Sequence, residues 1–262
     1  MSELEAIILG FVQGLTEFLP VSSSGHLTIG KEILGIESSN LTFEVVVHAA
    51  TVSSTIVVFW KEIVSLIAGF FKFRMNEETE YLLKIGVSLI PVFIIGIFFK
   101  EQVEAIFGSG LLVVGISLLV TATLLMLTGI IKPKEHKLTY RNAFVIGIAQ
   151  AVAVLPGLSR SGATISTGMM LGVKKEDVAR FSFLMVLIPV LGEAFLELVS
   201  GEFSTAASEM NTMPLLLGFI SAFISGLFAC KFMISIVKRA KLKYFAIYCA
   251  VAGLFCLASL LF

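Results

Sequence analysis

Two apolar regions of this sequence, 4–35 and 142–172, are each broken midway by a proline and a cluster of hydroxyls. That defect constrains the fold more than any other feature. In hydrocarbon every backbone N–H and C=O must be satisfied within the protein, so an irregular turn is tolerated only where it is buried or lines a cavity. The defect has force because the rest of the chain is lipid-like. Hydrophobic residues make up 57% of the sequence and charged ones 15%, against roughly 45–50% and about 25% in soluble domains. This composition predicts an integral membrane protein.

A crossing helix needs about 20 apolar residues. Six stretches meet that length: 43–67, 83–99, 111–131, 181–199, 214–236 and 244–262. The segments flanking each proline are too short to span alone, so both broken regions are predicted as re-entrant helix–turn–helix pairs. The expected fold class is all-α and polytopic, with six transmembrane helices and two re-entrant pairs. No polar block is long enough for a soluble domain, which predicts one membrane domain over 1–262. The N-terminus lacks a basic segment and a small-residue cleavage site, and no removable signal peptide is expected.

The two interruptions resemble each other. GFVQGLTEFLPVSSSG (Gly10–Gly25) aligns with GIAQAVAVLPGLSRSG (Gly147–Gly162), pairing Gln13 with Gln150, Pro20 with Pro156, Ser22 with Ser159 and Ser24 with Ser161. The chain thus reads as a duplication, repeat 1 (1–131) and repeat 2 (138–262), joined by a short basic loop. Three crossings per half is odd, so the second half is expected inverted. Charge gives an independent test. With the N-terminus outside, only Lys31 and Lys100 of the 19 basic residues fall in outer loops, and Arg160 and Lys231 lie at membrane depth. The remainder are inside, as the positive-inside rule requires. Both termini are expected on the outer side, with the tips of the two broken pairs meeting near the midplane, where inverted repeats place their sites.

At the first tip, Gln13 and Glu17 stand four apart, on one helical face. Ser22, Ser23, Ser24, Gly25 and His26 then open the next half-helix. At the second tip Ser159, Arg160, Ser161, Gly162 and Thr164 open another. Helix N-termini favour anions, and the arginine fork suits phosphate oxygens. The grouping predicts a phosphate cradle. Other readings stay open on the residues alone: Glu17 and Arg160 as a buried pair closing the interface, the serines as helix caps, and His26 as an interior histidine.

QGLTEFLPVSSSGH and PGLSRSGATIS closely resemble the two signature regions of the bacterial undecaprenyl-diphosphate phosphatases, the bacitracin-resistance protein family. The resemblance runs the length of the chain, through RNAFVIGIAQ and the basic loop before FAIY. It implies hydrolysis of undecaprenyl diphosphate to the monophosphate, recycling the lipid carrier of cell-wall synthesis in the bacterial cytoplasmic membrane, with bacitracin competing for the substrate. It assigns catalysis to Glu17, Ser23, His26 and Arg160. Substrate binding goes to Ser22, Ser24, Gly25, Ser159, Ser161, Gly162 and Thr164. It also implies a divalent cation, magnesium or calcium, with Glu17 and Gln13 as ligands; Gln13 fits the family's Glu-or-Gln position. On this reading Ser23 is the nucleophile and His26 its base, with the reverse assignment, His26 attacking, left open. Glu17 either holds the ion or orients His26.

Other residues take plainer roles. His48 is read as a helix-packing histidine in preference to one that approaches the site, His136 as solvated, Lys231 as snorkelling inwards, and Glu193 and Glu197 as facing the outer interface in preference to the site. The three cysteines are read as buried apolar residues. The zero net charge argues against a nucleic-acid partner, and a homo-oligomer stays open. The rival reading is a carrier or flippase for a polyprenyl phosphate or anion, since the architecture suits one and fold alone does not decide function.

Overall fold

Ser2 starts the first helix with a reciprocal cap: its hydroxyl accepts from Glu5 N–H while the Glu5 carboxylate accepts from Ser2 N–H. The computed structural model describes residues 1–36, 42–107, 110–130, 135–192, 212–239 and 242–261. Among them run α1 (Glu3–Phe18), α2 (Ser23–Leu34), α3 (Thr42–Val58), α4 (Trp60–Phe70), α5 (Glu77–Phe98), α6 (Lys100–Phe107), α7 (Gly110–Thr128), α8 (Tyr140–Val152), α9 (Arg160–Met170), α10 (Lys175–Met185), α11 (Thr212–Arg239) and α12 (Lys243–Ser259). Residues 187–192 are also helical.

Local chemistry sets several of these boundaries. Pro20 cannot continue α1 because it lacks the N–H an intrahelical bond needs. Asn76, Thr139 and Ser159 each cap the following helix by accepting from a backbone N–H three residues on. These bonds satisfy donors that a helix leaves orphaned at its start.

α5, α7 and residues Thr212–Met233 of α11 are long and apolar enough to cross a bilayer. These correspond to the expected spans 83–99, 111–131 and 214–236. The expected straight span 43–67 is not one helix. It bends by 75° between α3 and α4. Phe59 sits at the bend, 2% exposed, with its ring 6.2 Å from that of Phe183, and α4 lies against α5. Burying this ring and covering α5 wins over helix continuity. The stretch 181–199 is likewise interrupted, since α10 ends at Met185; its remainder from 193, with Glu193 and Glu197, lies outside the described residues. α12 is a shorter apolar helix of 17 residues.

Polarity is inside out. Gln13, Ser54, Ser88, Thr121 and Ser166 are all fully buried, whereas Phe11, Ile97, Phe98, Phe228, Phe232 and Phe255 are exposed. A continuous apolar exterior of this kind marks contact with lipid. Lys231 and the His136 ring are exposed as well, and the three cysteines are buried.

Packing links the two halves reciprocally. α1 lies against α11, α8 against α5, and α7 against α12. At each crossing a small residue lets backbones touch, the usual route to close helix association in lipid. A Cβ at Gly10 would stand 2.4 Å from the Gly218 carbonyl oxygen, and one at Gly147 would stand 2.2 Å from that of Ser88. Gly115 and Gly253 approach each other in the same manner, with 3.1 Å from a Gly115 Cβ to the Gly253 oxygen. Gly96, by contrast, has open space around it. We expect Gly10→Ala to lower stability by about 1–3 kcal/mol through overpacking, and Gly96→Ala to leave it unchanged. Thermal unfolding of both variants in detergent measures the difference.

Candidate active site

The turns that end α1 and α8 face one another. A Cβ on Gly25 would lie 3.1 Å from the Gly157 Cα, so the two tips meet backbone to backbone. Gly157 has φ +82°, a conformation glycine adopts without strain. Its side-chain-free face also abuts Val114, where a Cβ would fall 2.7 Å from the Val114 Cα. The tips are tied by polar contacts. Gly157 N–H donates to Ser24 Oγ at 3.4 Å, and Ser161 Oγ donates to the Leu19 carbonyl at 3.1 Å.

Glu17 is the hub. Its side chain is 8% exposed. One carboxylate oxygen, Oε1, accepts from the Arg160 guanidinium across the tips. The other, Oε2, accepts from Ser23 Oγ at 2.5 Å and from Gln13 Nε2 at 3.0 Å. His48 Nε2 stands 3.7 Å from the same oxygen. Ser23 and Arg160 occupy matching places, each the first residue of its half-helix and each following a capping serine, Ser22 or Ser159. The expected residues Gln13, Glu17, Ser23 and Arg160 therefore converge.

The flanking hydroxyls brace this group. Ser22 Oγ accepts from Gly25 N–H and lies 3.3 Å from Ser24 Oγ. Ser159 Oγ accepts from Gly162 N–H. Thr164 Oγ1 is 2.6 Å from Ser182 Oγ, and Ser159 N–H donates to Thr121 Oγ1. Ser22 itself has φ +71° and ψ +102°, a strained backbone for a residue with a Cβ, of the sort that clusters at functional sites. A cleft opens beside Glu17, Arg160 and Ser161, walled by Thr51, Thr55 and Ser182 and by the apolar Phe18, Val52, Phe183 and Val186. It joins a charged, hydroxylated floor to apolar walls.

His26 is placed differently from the expectation. Its Nδ1 is 2.7 Å from the Ser22 carbonyl and its Nε2 is 2.6 Å from Tyr248 Oη, whereas the Ser23 hydroxyl is taken by Glu17. His26 thus borders the site without bonding the serine. His48, read from sequence as a packing histidine, sits instead beside Glu17, and this corrects that reading. The signal was present: Glu44, His48, Thr51 and Thr55 recur at helical spacing, a polar stripe along α3. Tyr248, Thr121 and Ser182 were also missed. Each lies in a helix that only tertiary packing brings to the tips.

Among the described residues, no three or more His, Cys, Asp or Glu side chains cluster as a ready metal cage. The oxygen donors at hand are Glu17 and the amide oxygen of Gln13, which is buried and lacks a hydrogen-bond partner. One carboxylate with a neutral oxygen suits a hard divalent cation that draws its remaining ligands from substrate phosphate.

Comparison with known proteins identifies the family. A family model described as "Bacitracin resistance protein BacA" matches residues 6–255. A protein of Bacteroides fragilis named "Undecaprenyl-diphosphatase" is 57% identical over 258 residues, 97% of this chain and 96% of that protein. One of the same name from Parabacteroides distasonis is 57% identical over 266 residues, covering 100% and 99% of the two chains. A third from Christiangramia forsetii is 52% identical, covering 97% of each. With similarity along nearly its whole length, this chain belongs to the bacitracin resistance protein BacA family.

Proposed function

We propose that this chain is an undecaprenyl-diphosphatase, hydrolysing undecaprenyl diphosphate to undecaprenyl phosphate and orthophosphate. It returns the lipid carrier of peptidoglycan synthesis to use and confers resistance to bacitracin, which competes for the same lipid. The observation that carries this reading is the Ser23–Glu17–Arg160 chain of contacts joining the two tips. Serine, carboxylate and guanidinium meet there beside a cleft with apolar walls, which suits a lipid diphosphate.

The terminal phosphoryl group binds the Arg160 guanidinium, which stabilises charge spreading onto its oxygens. Phosphate then competes with Glu17 for that guanidinium. Glu17 Oε2 already accepts from the Ser23 hydroxyl, so it is placed to take that proton. Ser23 Oγ loses its proton to Glu17 and bonds to the terminal phosphorus. The bond from that phosphorus to the bridging oxygen breaks, and undecaprenyl phosphate leaves. A water then attacks the phosphoserine, giving a proton to His26, which releases it to solvent at the end of the cycle. The Oγ–P bond breaks, orthophosphate departs, and Ser23 regains its proton from Glu17. Glu17 and Gln13 would hold magnesium or calcium, and the bound ion would neutralise charge on the phosphate oxygens.

The same reading covers the architecture. Residues 1–131 and 138–262 form an inverted repeat in which α1–α2 and α8–α9 enter from opposite leaflets, with both termini on the outer side of the cytoplasmic membrane. Support comes from the crossed packing. The Gly10–Gly218 contact is mirrored by Gly147–Ser88, and Gly115 meets its own counterpart, Gly253.

Four outcomes are expected. Arg160→Ala lowers kcat/KM about 10²–10³-fold in phosphate release from undecaprenyl diphosphate in detergent, and Ser23→Ala reduces release to background. Undiminished release by Ser23→Ala removes serine from the nucleophile role, and no release by the parent protein under any divalent ion favours the carrier reading. Chelation abolishes release and magnesium or calcium restores it. An impermeant maleimide applied to intact spheroplasts labels Ile33→Cys but not Phe73→Cys, both exposed positions; the reverse pattern inverts the topology.

A further inference from the structure

The contact between His26 and Tyr248 lies outside the Ser23–Glu17–Arg160 chain and has no part in the reaction above. The two residues are 222 positions apart, on α2 and α12. The Tyr248 hydroxyl reaches His26 Nε2 at 2.6 Å, and the two rings are nearly parallel, 10° apart in plane with centroids at 5.5 Å. The other ring nitrogen, Nδ1, meets the Ser22 carbonyl at 2.7 Å. A carbonyl only accepts, so Nδ1 carries the hydrogen. In a neutral imidazole Nε2 is then the acceptor, and the tyrosine O–H is its donor.

We propose that Tyr248 is a positioning residue for the phosphatase reaction, one that locks His26 in the Nδ1–H form and fixes its ring so that Nε2 alone exchanges protons. This rests on the reading of His26 as the group that takes a proton from water. Four features carry the assignment. Both ring nitrogens are taken, so the ring cannot flip without breaking two hydrogen bonds. The Ser22 carbonyl that holds Nδ1 belongs to the strained residue at φ +71°, whose hydroxyl caps α2. That carbonyl also accepts from the His26 main-chain N–H at 3.2 Å, which ties the ring to the helix opening that carries Ser23. A phenol hydroxyl, finally, both donates and accepts. It donates to bare Nε2, passes that hydrogen on while taking another from water, and then accepts from protonated Nε2, so the ring keeps its place through a proton cycle.

The neighbouring Cys249 anchors this arrangement. It is fully buried, with its Sγ 3.6 Å from the Pro20 carbonyl. The start of α12 is thereby pinned to the first tip, and Tyr248 is carried to His26 by the same turn of helix.

Tyr248→Phe tests the assignment, because it keeps the ring and deletes only the hydroxyl. The expected result is a fall in kcat of about 10- to 100-fold at unchanged KM, with the thermal midpoint in detergent unchanged. A second readout is independent of turnover. The chain has three histidines, so imidazole-¹⁵N spectra of the full-length protein are assignable by single substitution. In the parent protein His26 shows a protonated Nδ1 and a hydrogen-bonded Nε2; in Tyr248→Phe the Nε2 signal moves to that of an unbonded acceptor and the tautomers mix. Parent-like ¹⁵N shifts and parent-like kcat in Tyr248→Phe overturn the proposal. A changed tautomer with unchanged kcat keeps the contact but removes its positioning role. Full activity in His26→Ala sinks the underlying reading of His26 instead, so the two failures are distinguishable.

Discussion

The structure depends on one constraint: two interrupted helix pairs carry backbone and side-chain polarity inside an apolar protein. Each tip resolves this by facing the other. Glu17 alone at the first tip, or Arg160 alone at the second, would be an uncompensated charge in an apolar protein, at a cost of about 2.5–3.5 kcal/mol on insertion scales. Joined, they neutralise each other, and the flanking hydroxyls satisfy the half-helix ends. The site is therefore also the joint that holds the halves together. Stability and reactivity share the same atoms.

That sharing explains the small residues beneath the tips. Facing elbows require the helices behind them to approach until backbones touch, which is why Gly10, Gly147, Gly157 and Gly253 meet carbonyl or Cα atoms with no room for a methyl group. Helix crossing and site assembly are one packing problem.

Much of this was legible in the sequence because it was written as local defects. A proline, hydroxyls and an arginine in apolar surroundings mark the two tips, and their resemblance at a near-constant offset pairs them. Glu17 and Arg160 stood out there as charges, while Ser23 was singled out from its neighbouring serines by the resemblance to the family. What could not be read was tertiary. Nothing local marks Phe59 as a break, for no proline or glycine stands there; the bend comes from burying its ring against Phe183. His48 stands in a polar stripe on α3, but that the stripe meets Glu17 was set by tertiary packing. Tyr248 lies in a uniformly apolar segment, and only the α2–α12 contact gives it a neighbour. The expected Ser23–His26 pairing gave way to Ser23–Glu17, because the α1–α2 turn carries the carboxylate back onto the serine while Ser22 and Tyr248 hold the imidazole.

The hydroxyl belt of Ser22, Ser24, Ser159, Ser161, Thr164, Thr121 and Ser182 has a consequence for how a headgroup leaves the interface. A diphosphate moving into a lipid-embedded enzyme must shed oriented water. Here it meets dipoles already tethered to helix ends and to one another, in effect a frozen solvation shell. Such a shell does not reorganise as charge shifts between oxygens, so the protein stands in for the liquid it excludes.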